Sequence, residues 1–98
     1  MRVALDWDQT LVDAKTQEWL PGALDGLRWL RRQKHTVVIH SVRADSDYGR
    51  DQILGALQRH KFKFEVFAKP AADLYVDDKA VAFAGSWPEV IKAVRNAS

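Results

Sequence analysis

Apolar residues along this chain alternate between short runs and stripes at helical spacing. Val3, Ala4 and Leu5 form a compact run, so residues 2–7 read as a buried strand. Pro21 and Gly22 open a segment in which Ala23, Leu24, Leu27 and Leu30 recur at helical spacing, which predicts a helix to about Gln33. Residues 36–41 are β-branched and apolar and predict a second strand. Ile53, Leu54 and Leu57 stripe a second helix over about residues 48–60. Residues 64–67 and 73–77 predict two further strands, and 80–84 a fifth at a sheet edge. Ser86, Trp87, Pro88 and Glu89 make a capping box with proline in the first turn, opening a last helix that carries Val90, Ile91 and Val94.

Strands alternating with helices imply right-handed crossovers and a mainly parallel sheet covered on both faces, an α/β fold. With no repeat and no linker, residues 1–98 read as one domain. Ligands of such sheets sit beyond the carboxyl ends of the strands, where the strand order reverses. Asp6, Asp8, Ser41 and Asp77 are at or just past those ends. Residues two apart in a strand point the same way, so Asp6, Asp8 and Thr10 are expected to share a face as the first strand runs out. Crowded carboxylates raise one another's pKa unless a cation sits between them, and a hard divalent ion such as Mg2+ suits oxygen donors.

Asp6-Trp7-Asp8-Gln9-Thr10 resembles the first motif, DxDxT, of the haloacid dehalogenase-like (HAD) hydrolases. The other motifs of that superfamily are matched in order by Ser41 after Val37-Val38-Ile39-His40, by Lys69 in Ala68-Lys69-Pro70, and by Asp77-Asp78 after Leu74-Tyr75-Val76. The resemblance implies a three-layer α/β/α Rossmann-like core with strand order 5-4-1-2-3. It further implies a Mg2+-dependent phosphatase, hydrolysing phosphate monoesters on a nucleotide, sugar phosphate or polynucleotide end.

In that scheme Asp6 is the nucleophile that forms an aspartyl phosphate, and Asp8 is the general acid and then the general base. Mg2+ is held by Asp6, the backbone carbonyl of Asp8 and Asp77, with Asp78 acting through water. Ser41 and Lys69 bind phosphoryl oxygens, and Thr10 braces the loop. Arg43, two residues after Ser41, either reaches a second phosphate or pairs with Asp45 or Asp47. Plainer roles stand beside these: a strand end for Asp6 and Asp8, a turn for Ser41, a solvated loop lysine for Lys69, and a cap for one of Asp77 and Asp78. Two other functions fit the same residues, namely transfer of the phosphoryl group to another alcohol and a phosphate-binding module with little turnover.

The chain departs from the superfamily pattern in two places. Gln9 stands where glycine is common. The intervals from Thr10 to Pro21 and from Ser41 to Lys69 leave no room for a cap domain, which implies an open site suited to large phosphorylated substrates, unless a neighbouring subunit supplies a lid.

Composition adds exclusions. The 98 residues are 47% hydrophobic and 29% charged, as in ordinary globular domains. Without cysteine there are neither disulfides nor thiolate metal sites. No apolar stretch approaches the roughly 20 residues that span a membrane, so the chain reads as a soluble cytoplasmic protein with no membrane partner. The net charge of +2 does not by itself select nucleic acid as a partner. Basic residues do bunch, as Arg28, Arg31, Arg32 and Lys34 and again as Arg59, Lys61 and Lys63. They read either as cations complementing helix C-termini or as a phosphate-tracking surface. His35, His40 and His60 lack metal-ligand spacing, and Trp29 reads as an edge packer or part of an oligomer contact.

Overall fold

A computed structural model of the chain describes residues 2–68, 74–76 and 87–97. In order these form β1 (Arg2–Asp6), α1 (Ala23–Arg32), β2 (Thr36–His40), a 3-10 turn (Val42–Asp45), α2 (Asp47–Gln58), β3 (Glu65–Phe67), β4 (Leu74–Val76) and α3 (Trp87–Ala97). The four strands pair in parallel in the order β3-β2-β1-β4. Read from β4, this is 4-1-2-3, with β1 and β2 innermost. The expected fifth strand over 80–84 lies outside the described residues.

The inner strands are the apolar ones because both their faces are covered. Val3, Ala4 and Leu5 of β1 are fully buried, and Val37, Val38 and Ile39 of β2 nearly so. Val3 pairs with Val37 and Leu5 with Ile39, so these four point to one face. They belong to a single cluster with Leu27 and Leu30 of α1, Ile53 and Leu57 of α2, and Trp87, Val90 and Val94 of α3. Right-handed crossovers from β1 to β2 and from β2 to β3 step in the same direction and so leave α1 and α2 on the same side. The second helical layer expected of a three-layer core is not found among the described residues.

Both crossover helices end in the same way. At the end of α1, His35 N donates to Leu30 O at 3.1 Å and Lys34 N to Arg31 O at 3.0 Å. At the end of α2, Phe62 N donates to Leu57 O at 3.1 Å and Lys61 N to Gln58 O at 2.9 Å. These are paired Schellman closures, in which one residue takes a left-handed backbone, commonly glycine. Here that residue is lysine twice, Lys34 at φ 61° and Lys61 at φ 63°.

The junction of α1 and α3 is tight. Trp87 packs over Gly26, where an added Cβ would overlap the indole ring. Trp29 is half-buried at the edge of the core, with the Arg95 guanidinium 5.3 Å from its ring. It is therefore an edge packer.

Candidate functional site

Asp6 and His40 are partners across the β1–β2 ladder, so Asp6 and Ser41 leave the two inner strands at neighbouring levels. Beyond Asp6 the chain does not continue as a strand. The Trp7 carbonyl accepts hydrogen bonds from Leu11 N and Val12 N, at 3.0 and 3.2 Å, and closes a turn. Leu11 and Val12 are fully buried, and their burial draws Thr10 inward to 2% exposure. The expectation of three polar groups on one extended face is thereby corrected: Asp6 and Asp8 stay at the surface, and Thr10 does not. The Thr10 carbonyl accepts from the Trp87 indole N–H at 3.1 Å, which pins this loop to α3.

The turn requires a left-handed residue, and Gln9 supplies it at φ 62°. A non-glycine residue in that conformation costs about 1–2 kcal/mol. Part of the cost is offset locally, since the Gln9 side-chain oxygen accepts from Ala14 N at 2.7 Å. The chain then folds back as a short hairpin, with Asp13 N donating to Glu18 O at 2.8 Å and Leu20 N to Leu11 O at 2.8 Å. Asp13 organises its tip: its carboxylate accepts from Thr16 N and Lys15 N, and these bonds hold it below the usual carboxylate range.

Both oxygens of Asp8 are occupied. Arg43 Nε donates to Oδ2 at 2.7 Å, and Gln17 Nε2 to Oδ1 at 2.9 Å. The orientation of the Gln17 amide follows from its other end, where its oxygen accepts from the indole N–H of Trp7, a group that only donates, at 3.0 Å. Arg43 also donates through Nη2 to the Ala14 carbonyl at 3.3 Å, so one guanidinium clasps both Asp8 and the hairpin. The hydrogen bond to Asp8 raises the Arg43 pKa, outweighing a smaller effect of burial. Arg43 therefore pairs with neither of the partners suggested by sequence. Asp47 is 3.3 Å from Arg50 instead, and Asp45 is exposed.

Ser41 is 3% exposed, and its Oγ accepts from Arg43 N at 3.2 Å, capping the 3-10 turn. That turn was not anticipated from sequence, and it is what swings Arg43 back toward Asp8. The Ser41 hydroxyl keeps its own proton for donation to a ligand. Asp6 is half-exposed, with Oδ1 accepting from Trp7 N at 2.9 Å. Lys69, Asp77 and Asp78 lie outside the described residues. Gln17 was missed, since nothing in its neighbourhood in sequence marks a glutamine nine positions from Asp8 as its partner.

Among the described residues no three His, Cys, Asp or Glu side chains gather as a metal cluster. Two hard oxygen donors are nevertheless placed at the end of β1. One is the Asp6 carboxylate. The other is the Asp8 carbonyl, which takes no part in the bridge between Asp8 and Val12, because Trp7 O and Gln9 N make its bonds. The Asp8 carboxylate, held by Arg43 and Gln17, is not a free ligand. Oxygen donors of this kind fit Mg2+.

No family model matches the chain, and no curated protein matches it. A solved structure of a conserved protein from Bacteroides thetaiotaomicron superimposes with a TM-score of 0.84 at 23% identity, over 100% of this chain and 92% of that one. The likeness is one of fold, a small α/β domain with a parallel sheet. No helix among the described residues is long and apolar enough to cross a membrane.

Proposed function

We propose that the chain is a Mg2+-dependent phosphate monoester hydrolase of the HAD type, with Asp6 as nucleophile and Asp8 as proton donor and acceptor. The observation that supports this most is the emergence of Asp6 and Ser41 at neighbouring carboxyl ends of the two inner parallel strands, Asp6 paired with His40 and Ser41 next in the chain, with Asp8 just beyond and fixed from two sides. An Asp6 oxygen attacks phosphorus, the bond from phosphorus to the leaving oxygen breaks, and Asp8 gives that oxygen a proton. Water, deprotonated by Asp8, then hydrolyses the aspartyl phosphate. Mg2+ would be held by Asp6, the Asp8 carbonyl and Asp77, with Asp78 acting through water, and its chemistry is to offset charge between anionic nucleophile and anionic substrate. Ser41 and Lys69 bind phosphoryl oxygens.

Arg43 and Gln17 each occupy one oxygen of Asp8 in the structure. A phosphate dianion competes with Asp8 for the Arg43 guanidinium. Substrate binding that draws Arg43 onto the phosphate frees Asp8 Oδ2 to face the leaving oxygen. The same ion pair favours a second reading, a phosphate-binding module with little turnover, in which Arg43 never leaves Asp8.

Only the hairpin separates β1 from α1, and only the 3-10 turn and α2 separate β2 from β3. Such a capless site suits a nucleotide, a sugar phosphate or a polynucleotide end, and a cytoplasmic setting supplies Mg2+ and phosphorylated compounds. The test is phosphate release from an aryl phosphate, nucleotides, sugar phosphates and phosphorylated oligonucleotides, with Mg2+ or EDTA, for wild type and Asp6→Asn. Release that needs both Mg2+ and Asp6 supports the hydrolase. Phosphate binding without release supports the module.

A further inference from the structure

At the end of the sheet opposite Asp6, a cavity of about 490 Å³ opens between the starts of β2 and β3. Arg31, His35, Lys61, Lys63, Phe64 and Glu65 line it, with the first residues of β2. Two basic runs far apart in sequence meet here. Arg31 Nη1 donates to the Lys61 carbonyl at 2.9 Å, and the Arg31 guanidinium lies 4.7 Å from the Phe62 ring, which stacks on Phe64 at 5.1 Å.

Cations at this end would be unremarkable if they only complemented helix C-termini. The structure, however, sorts the basic residues. Arg28 pairs with Asp25 at 3.1 Å, and Arg59 lines a separate, smaller cavity beside Trp7 and Gln17. Among the described residues, Arg31, Lys61 and Lys63 remain around the larger one, against the single carboxylate of Glu65. The ends of α1 and α2 contribute about half a negative charge each, so the three cations still prevail. Lys61 also keeps a strained left-handed backbone at φ 63°, where glycine would end the helix without strain.

We propose that this cavity binds single-stranded polynucleotide, with phosphates on Arg31, Lys61 and Lys63 and one base against Phe64. The volume falls in the range of small-ligand sites and admits a nucleotide. Arg31 is already held by Lys61 and Phe62, which reduces the ordering cost of binding and leaves guanidinium donors for a phosphate. Cations beside a half-buried ring at the cavity wall are the combination that single strands use, the backbone for charge and the base for stacking.

The inference stands apart from the hydrolase reading because it is measured as binding, in EDTA. Anisotropy of a labelled oligothymidine, titrated with wild-type protein, should show saturable binding that weakens steeply with salt. Lys61→Glu with Lys63→Glu, both exposed positions, should weaken it at least about tenfold and make the log–log salt slope shallower by about 1.4, for two phosphates lost. Lys61→Gly should preserve or raise Tm while weakening binding, which a helix-ending role does not predict. Phe64→Leu should weaken binding of oligothymidine and leave binding of inorganic polyphosphate unchanged. Absence of binding, or binding that none of these folded variants alters, overturns the proposal. So does equal binding of polyphosphate and oligothymidine with no effect of Phe64→Leu, which marks a simple anion site. Loss of phosphatase activity in Asp6→Asn bears on none of these outcomes.

Discussion

Arg43 Nε donates to Asp8 Oδ2 across 2.7 Å, joining the turn after β2 to the loop after β1. The side chains are 37% and 24% exposed, so solvent screens the pair only in part. Removing one charge-assisted hydrogen bond costs about 1.5–3 kcal/mol. Arg43→Ala should therefore lower kcat/KM for a phosphate monoester by about 10- to 150-fold. Arg43→Lys should not restore it, because an ammonium lacks the planar fork that can engage carboxylate and phosphate in turn. Steady-state kinetics on the folded variants decide this, and full activity in Arg43→Ala would remove Arg43 from the site.

Gly49 couples packing to that arginine. A Cβ on Gly49 would run into the Arg43 backbone carbonyl, and backbone cannot swing aside as a side chain does. Gly49→Ala should displace the 3-10 turn and lower activity more than its loss of Tm explains. Gly49→Ala with wild-type kinetics would show that the turn does not position Arg43.

Much of this arrangement was legible in the chain, and the reasons are physical. The strands and helices follow from apolar runs and stripes, and Asp6 and Ser41 emerge at strand ends because a polar residue terminates each buried run. Thr10 was misplaced because alternation holds only while the strand lasts, and the burial of Leu11 and Val12 ends it at Asp6. Arg43 and Gln17 were missed as partners of Asp8 because tertiary contacts across 35 and 9 positions leave no local periodicity. The left-handed lysines ending α1 and α2 were equally hidden, since glycine is the usual sign of that closure.

Gly26 should resist substitution even by alanine. Alanine improves helix propensity by about 1 kcal/mol, whereas forcing a methyl into a packed core costs about 1–3 kcal/mol. The obstacle here is the rigid indole of Trp87, so the steric cost wins. A net loss of about 1 kcal/mol lowers Tm by roughly 4–8 °C for a domain of this size. Thermal melts of Gly26→Ala check this, and an unchanged Tm would mean that α3 can move away from α1.

The hairpin should loosen in acid. The Thr16 and Lys15 N–H groups lower the Asp13 pKa relative to the unfolded chain. A depressed carboxylate stabilises the fold above its unfolded pKa, and that contribution fades as pH falls through the folded value. Protection factors of the Lys15 and Thr16 amides, taken relative to the unfolded chain at the same pH, should therefore fall as pH drops below the usual carboxylate range, and Asp13→Asn should abolish that fall. Acid dependence that persists in Asp13→Asn would place its origin elsewhere.

The central claim is that Asp6 carries the phosphoryl group. Asp8→Asn protein, given Mg2+ and an aryl phosphate whose leaving group needs no proton, should accumulate the intermediate because water is no longer activated. Intact mass followed by peptide mapping after an acid quench should find one added phosphoryl group on Asp6. An unmodified chain, or a phosphoryl group on any other residue, would contradict the account.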